Sequence, residues 1–167
     1  MGFAQDLLEQ SQFLVRREPG KPKQASLRRA VSTAYYAVFH LLAWEAANQA
    51  TPTSPSGLTV RVTRSLEHNS MKRAAQQFES GNLPDAIKPL VSSSVPAVLI
   101  EAARNFILLQ DERHAADYDL TRAFSRARAQ TAVDAAARVL ANWNAIRDTD
   151  DARTFLAALI FPKLASR

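Results

Sequence analysis

The chain has 167 residues, 47% of them hydrophobic, which is enough for a core of its own and excludes a disordered chain. It has no cysteine, which excludes disulfides and thiolate metal sites. The net charge of +5, from 21 basic and 16 acidic residues, either biases the chain toward anionic partners such as nucleic acid or simply keeps an arginine-rich surface soluble.

Only 4 glycines occur, and β-branched residues never alternate, so an all-α fold is expected. The first helix is predicted over Phe3 to Arg17, with Phe3, Leu7, Leu8, Phe13 and Leu14 as its apolar face and Glu18-Pro19-Gly20 as its stop. Lys21, Pro22 and Lys23 form a short basic connector. The second helix is predicted over Gln24 to Ala50. Leu27, Ala30, Val31, Ala34, Tyr35, Val38, Leu41, Leu42 and Ala46 recur there at three- and four-residue steps. Its first turns carry Arg28 and Arg29.

Thr51 to Gly57, with two prolines among Ser and Thr, reads as a loop. A third helix is predicted from Leu58 to Glu79, closed by Ser80-Gly81-Asn82 as a glycine cap. Leu83 to Ser94, interrupted by Pro84 and Pro89, has room for at most a short helix. Ser94-Val95-Pro96 is expected to start the fourth long helix, with Ser94 as its cap. Asp119 or Thr121 is expected to cap the fifth, from Arg122 to Arg147. Thr149-Asp150-Asp151 begins a last short helix broken at Pro162. Residues 1–167 therefore read as a single domain: an antiparallel bundle of four to five main helices plus a short terminal one.

No apolar run approaches the roughly 20 residues a transmembrane helix needs. The segment Met1-Gly2-Phe3-Ala4-Gln5-Asp6 lacks the basic-then-apolar order of a leader, so a cytoplasmic location without membrane attachment is expected. There is no glycine-rich phosphate loop, no Gly-x-Ser-x-Gly elbow and no metal-ligand spacing among the three histidines. Neither a metal nor a cofactor is expected.

The densest chemistry lies in Glu112-Arg113-His114-Ala115-Ala116-Asp117-Tyr118-Asp119, directly after an apolar helical run. Read as a catalytic site, Arg113 binds a phosphate and His114 acts as general acid or base. Asp117 or Asp119 orients the imidazole, and Tyr118 donates a hydrogen bond or stacks on a base. RNA suits such a set without a metal, because its own 2′-hydroxyl is the nucleophile. Read structurally, Asp117 or Asp119 caps the next helix, Tyr118 packs with its hydroxyl satisfied, and Arg113 pairs with an acidic neighbour.

A second group is Arg61, Arg64, His68 and Lys72. Arg64, His68 and Lys72 are spaced four apart and would line one helix face as a phosphate-gripping ridge or a solvated surface. A third is Tyr36 and His40, which share a face of the second helix and fit either a polar cavity or a core seam.

The stretch Leu27-Arg28-Arg29-Ala30-Val31-Ser32-Thr33-Ala34-Tyr35-Tyr36-Ala37-Val38-Phe39-His40 resembles the first long helix of small bacterial HEPN-like proteins. Ser65-Leu66-Glu67-His68-Asn69-Ser70-Met71-Lys72 and Arg113-His114-Ala115-Ala116-Asp117-Tyr118-Asp119 resemble one branch of the same group. The resemblance spans residues 24 to 147. It implies a helical bundle, a homodimer with its site near the dimer cleft, and RNA as partner. It also implies metal-independent endoribonuclease activity in a toxin–antitoxin or defence setting, beside a protein encoded nearby. The family's catalytic motif is an Arg, often followed by a polar residue, with a His a few residues on. Arg104-Asn105 supplies such a start, which makes Arg104 a binding candidate. Nine residues separate Arg104 from His114, longer than the family spacing, and Arg113 directly precedes His114. A non-catalytic dimeric HEPN-like binding module is the alternative the resemblance implies.

Overall fold

The computed structural model describes residues 2–53 and 56–161. Among them every regular element is helical and no strand occurs. The helices are α1 (Gly2–Arg16), α2 (Gln24–Ala50), α3 (Ser56–Ser65), α4 (His68–Ser80), α5 (Ala97–Tyr118), α6 (Arg126–Ile146) and α7 (Asp150–Ile160). A single 3-10 turn covers Lys88–Leu90 in the proline-interrupted stretch. Ser54 and Pro55 of the expected Thr51–Gly57 loop, and Pro162 after the last helix, lie outside the described residues.

The chain divides into two compact units, Met1–Leu41 with Asn105–Ala141, and Leu42–Arg104 with Asn142–Arg167. In the first unit the apolar stripe of α2 meets α5. Tyr35 is fully buried and stacks on Phe106 with ring centroids 5.8 Å apart. Farther toward the start of α2, Arg28 reaches the carbonyls of Ala116 and Asp119, so these segments of α2 and α5 run in opposite directions. Ala30, Ala34 and Ala37 are buried, as small residues at a close helix contact must be.

In the second unit α4 packs on α7, with Phe78 edge-on to Phe155 at 5.0 Å and Trp143 6.5 Å from Phe155. Thr149 caps α7 by accepting from the Ala152 amide. Gly81 closes α4 at φ 69°, the left-handed cap that favours glycine.

Four expectations are corrected. Phe3 and Phe13 are exposed; the buried face of α1 is Ala4, Leu8, Ser11, Leu14 and Val15. Burial of Ser11 is tolerated because its hydroxyl donates to the Leu8 carbonyl at 2.7 Å. The helix expected over Leu58–Glu79 is two helices. Ser65 turns its hydroxyl back onto the Val62 carbonyl, and Glu67 is extended at φ −101°, ψ 129°. The β-branched run Thr59-Val60-Arg61-Val62-Thr63 also favours helix weakly. α5 begins at Ala97, after Pro96, rather than at a Ser94 cap. α6 begins at Arg126, because Ser125, not Asp119 or Thr121, accepts the Arg128 amide at 3.1 Å.

Candidate functional site

Glu112 to Tyr118 form the last two turns of α5, inside the first unit. Successive helical residues point about 100° apart, so the chemistry-bearing side chains divide between two faces.

Arg113 turns inward. It donates from Nη2 to the Tyr36 hydroxyl at 2.9 Å, and its Nε lies 2.8 Å from Asp117 Oδ2. The Nε contact is close, but its N–H is out of line for a hydrogen bond. The guanidinium carbon also sits 5.9, 5.5 and 5.5 Å from the ring centres of Tyr35, Tyr36 and Tyr118. Burial works against this cation; Tyr36, Asp117 and Tyr118 more than offset it and hold its pKa above the ordinary value. Ser32 of α2 adds a hydrogen bond to Asp117 at 3.3 Å. Arg113 and Asp117 thus form one interlocked group with α2. Tyr35 behind them is pushed well above the usual phenol range by burial.

His114 and Tyr118 turn outward. Both are exposed, Tyr118 at 64%, and their rings lie 5.0 Å apart in a tilted pair. The spacing of four residues places them on one face of α5. Tyr118 therefore does not pack in the interior, and His114 is not buried against a carboxylate.

Glu112 pairs in two-pronged fashion with Arg128 of α6, Nε to Oε2 at 2.7 Å and Nη2 to Oε1 at 2.8 Å. That hydrogen bonding raises the Arg128 pKa. Asp119 accepts from the Thr121 amide and hydroxyl, an Asx turn that lowers its pKa through the Thr121 hydrogen bond.

Sequence reasoning missed the most connected cation here. Arg28 donates to the carbonyls of Ala116, Asp119 and Arg122. It satisfies carbonyls at the end of α5 and beyond, where the helix dipole favours positive charge. Beside it, Gln24 and Phe124 exchange two hydrogen bonds of 2.8 Å, side-chain amide to main chain. Only the position of two arginines in the first turns of α2 hinted at this.

The candidates Arg104, Arg61, Arg64, His68 and Lys72 lie in the second unit. Arg104 is exposed and pairs with Glu79 at 3.2 Å. Arg64 lies in the last turn of α3, His68 begins α4 and Lys72 follows one turn on, so the three do not line one continuous helix. In the first unit, His40 lies beside the ring of Phe3 at 5.1 Å and that of Tyr36 at 6.1 Å, and partial burial lowers its pKa. Among the described residues no group of His, Asp or Glu is placed to hold a metal ion, and no helix is long and apolar enough to cross a membrane. Compared with known proteins, the chain matches no family model, no curated protein and no solved structure.

Proposed function

We propose that this chain is a HEPN-like, RNA-associated protein that acts by binding RNA. The observation that carries the reading is the outward-facing His114–Tyr118 pair at the end of α5, with both rings open to solvent. An exposed phenol ring offers a base a stacking platform, worth roughly 1–3 kcal/mol per base. The His114 imidazole beside it offers a second ring and a polar edge for hydrogen bonding. The chain's excess of basic residues supplies the sequence-independent attraction to phosphate.

Binding is favoured over cleavage because Arg113 is engaged. Metal-independent cleavage of RNA requires a proton carrier and a cation within reach of the same phosphate. His114 is open to solvent, but the neighbouring guanidinium is engaged by the Tyr36 hydroxyl, Asp117 and the Tyr118 ring. Arg113 and Asp117 then act as braces that fix the end of α5.

The test is fluorescence anisotropy with labelled single-stranded RNA. Wild-type protein should bind with an affinity that falls as salt rises, and Tyr118→Ala and His114→Ala should each weaken it. Absence of binding by wild type at low salt would remove the reading. The same RNA incubated in EDTA should stay intact. EDTA-resistant cleavage that His114→Ala abolishes would replace binding with endoribonuclease activity of the toxin–antitoxin or defence kind.

A second reading, a dimeric interaction module, is favoured by α1. Phe3 and Phe13 are 61% and 65% exposed, and large aromatics left open on a helix suit a second copy or another protein chain. Sedimentation should show a dimer that Phe3→Ser with Phe13→Ser dissociates; a wild-type monomer would count against it.

A further inference from the structure

The α1–α2 connector and the α5–α6 connector meet at one end of the first unit. Gln24 and Phe124 hold them together through their exchanged hydrogen bonds. Arg126, the first residue of α6, donates to the carbonyls of Glu18 and Gly20 at 2.6 and 2.8 Å. Arg28 gathers the carbonyls of the other connector. These bonds bring together cations that are far apart in sequence. Arg16, Arg17, Lys21 and Lys23 surround the first connector and Arg122 lies in the second, all five exposed.

The opposing charges are few and already engaged. Glu18 accepts from the Ser26 hydroxyl at 2.8 Å, which keeps it ionised, and it lies 3.9 Å from Arg17. Asp119 is tied to Thr121. Residues 16–23 therefore carry four cations against one carboxylate. Pro19 and Pro22 restrict the backbone between them, so the cations are presented by a stiff segment at reduced entropic cost.

We propose that this end is an RNA-backbone platform, with Arg16, Arg17, Lys21, Lys23 and Arg122 contacting successive phosphates while Tyr118 stacks on a base beside them. The proposal rests on the RNA-binding reading and assigns its electrostatic half to a place. Tyr118 is the last residue of α5, four residues before Arg122, so the stacking face and the cations belong to the same end of the unit. Cations tracking a backbone beside an aromatic ring are what a single strand needs. Between Arg16 and Ala25 no large apolar side chain is exposed; in the second connector Leu120, 85% exposed, is the single aliphatic side chain that could wedge into a lipid surface, too little beside five cations to anchor in a bilayer. RNA fits this end better than an anionic membrane.

The experiment compares full-length wild type with R17E/K21E/K23E in anisotropy titrations of single-stranded RNA over a salt series. Each phosphate contact on a single strand contributes about 0.7 to the slope of log K against log salt, so the triple variant should lose about 2 from that slope. Its affinity at low salt should fall roughly tenfold or more. The milder K21Q/K23Q gives the same direction if the charge reversals disturb folding, which far-UV circular dichroism checks. R73E/K88E/R153E removes three exposed cations from the second unit and should leave the slope unchanged. Wild-type binding with an unaltered slope in both connector variants would overturn the platform and leave RNA binding standing. A failure of wild type to bind RNA would overturn both. Equal losses in the second-unit variant would reduce the effect to net charge. Tighter binding to phosphatidylserine-containing vesicles than to RNA would reassign this end to a membrane surface.

Discussion

The Arg113 guanidinium donates to the Tyr36 hydroxyl at 2.9 Å while lying over the rings of Tyr35, Tyr36 and Tyr118. The group joins α2 to α5 in the first unit, and its removal leaves Asp117 without its cation. A hydrogen bond to a charged group is worth about 1.5–3 kcal/mol, and this one is largely shielded from solvent. Arg113→Ala should therefore lower unfolding stability by about 2–3 kcal/mol in urea titration. His114→Ala, next in sequence but exposed, should fall within about 0.5 kcal/mol of wild type. Similar losses in both variants would contradict the division of the two side chains between an inner and an outer face.

His40 gives stability a pH dependence of definite sign. Burial lowers its pKa in the folded protein below the unfolded value of about 6.5. The unfolded chain then binds the proton more readily, so the His40 contribution is intact above that value. It is lost as pH falls through it, and levels off below the folded pKa. The rings facing it, Phe3, Tyr36 and Phe39, provide no carboxylate to reverse the sign. Stability measured between pH 8 and 5 should decline more steeply for wild type than for His40→Gln. Equal slopes would remove His40 as the source.

Asn105 is 6% exposed and its side-chain amide nitrogen has no hydrogen-bond partner among the described residues. Leaving a buried polar group unpaired costs about 1–3 kcal/mol, whereas an apolar side chain of similar shape avoids that cost. Asn105→Leu should therefore match or exceed wild-type stability, with a gain of about 1 kcal/mol. A loss of more than about 1 kcal/mol would mean that Asn105 is held by a partner such as an ordered water.

The parts of this fold that were legible in the sequence are those set by short-range chemistry. The α2 boundaries, Gln24 and Ala50, follow from a long periodic stripe flanked by proline-containing connectors. Gly81 and Thr149 announced a helix end and a helix start because capping depends on residues within one turn. The α3–α4 break was hidden, since Ser65-Leu66-Glu67 contains neither proline nor glycine. The exposure of Phe3 and Phe13 was hidden for a different reason. Apolar spacing identifies a helix, but which face turns inward depends on a neighbour that the local sequence does not contain. At the candidate site, the concentration of ionisable residues was evident and their partition was not. Arg113 is committed by Tyr36, 77 positions away, and Arg28 by carbonyls up to 94 positions away.

Arg28 and Arg29 test how far position alone decides a role. They are adjacent cations in the first turns of α2. Arg28 is half-buried, donates to three main-chain carbonyls near the end of α5 and lies 5.3 Å from the ring centre of Phe124. Arg29 is exposed. Truncating Arg28 leaves those carbonyls without their charged donor and frees the α5–α6 connector. Arg28→Ala should cost about 2–4 kcal/mol, since each charged hydrogen bond contributes more than a neutral one and several are lost together. Arg28→Lys should recover only part of this, because an ammonium lacks the planar fork that spans several acceptors. Arg29→Ala should change stability by no more than about 0.5 kcal/mol. Hydrogen exchange gives a local readout: amides from Asp119 to Phe124 should lose protection in Arg28→Ala and keep it in Arg29→Ala. Unchanged protection in both would mean that Gln24 holds the connector without Arg28.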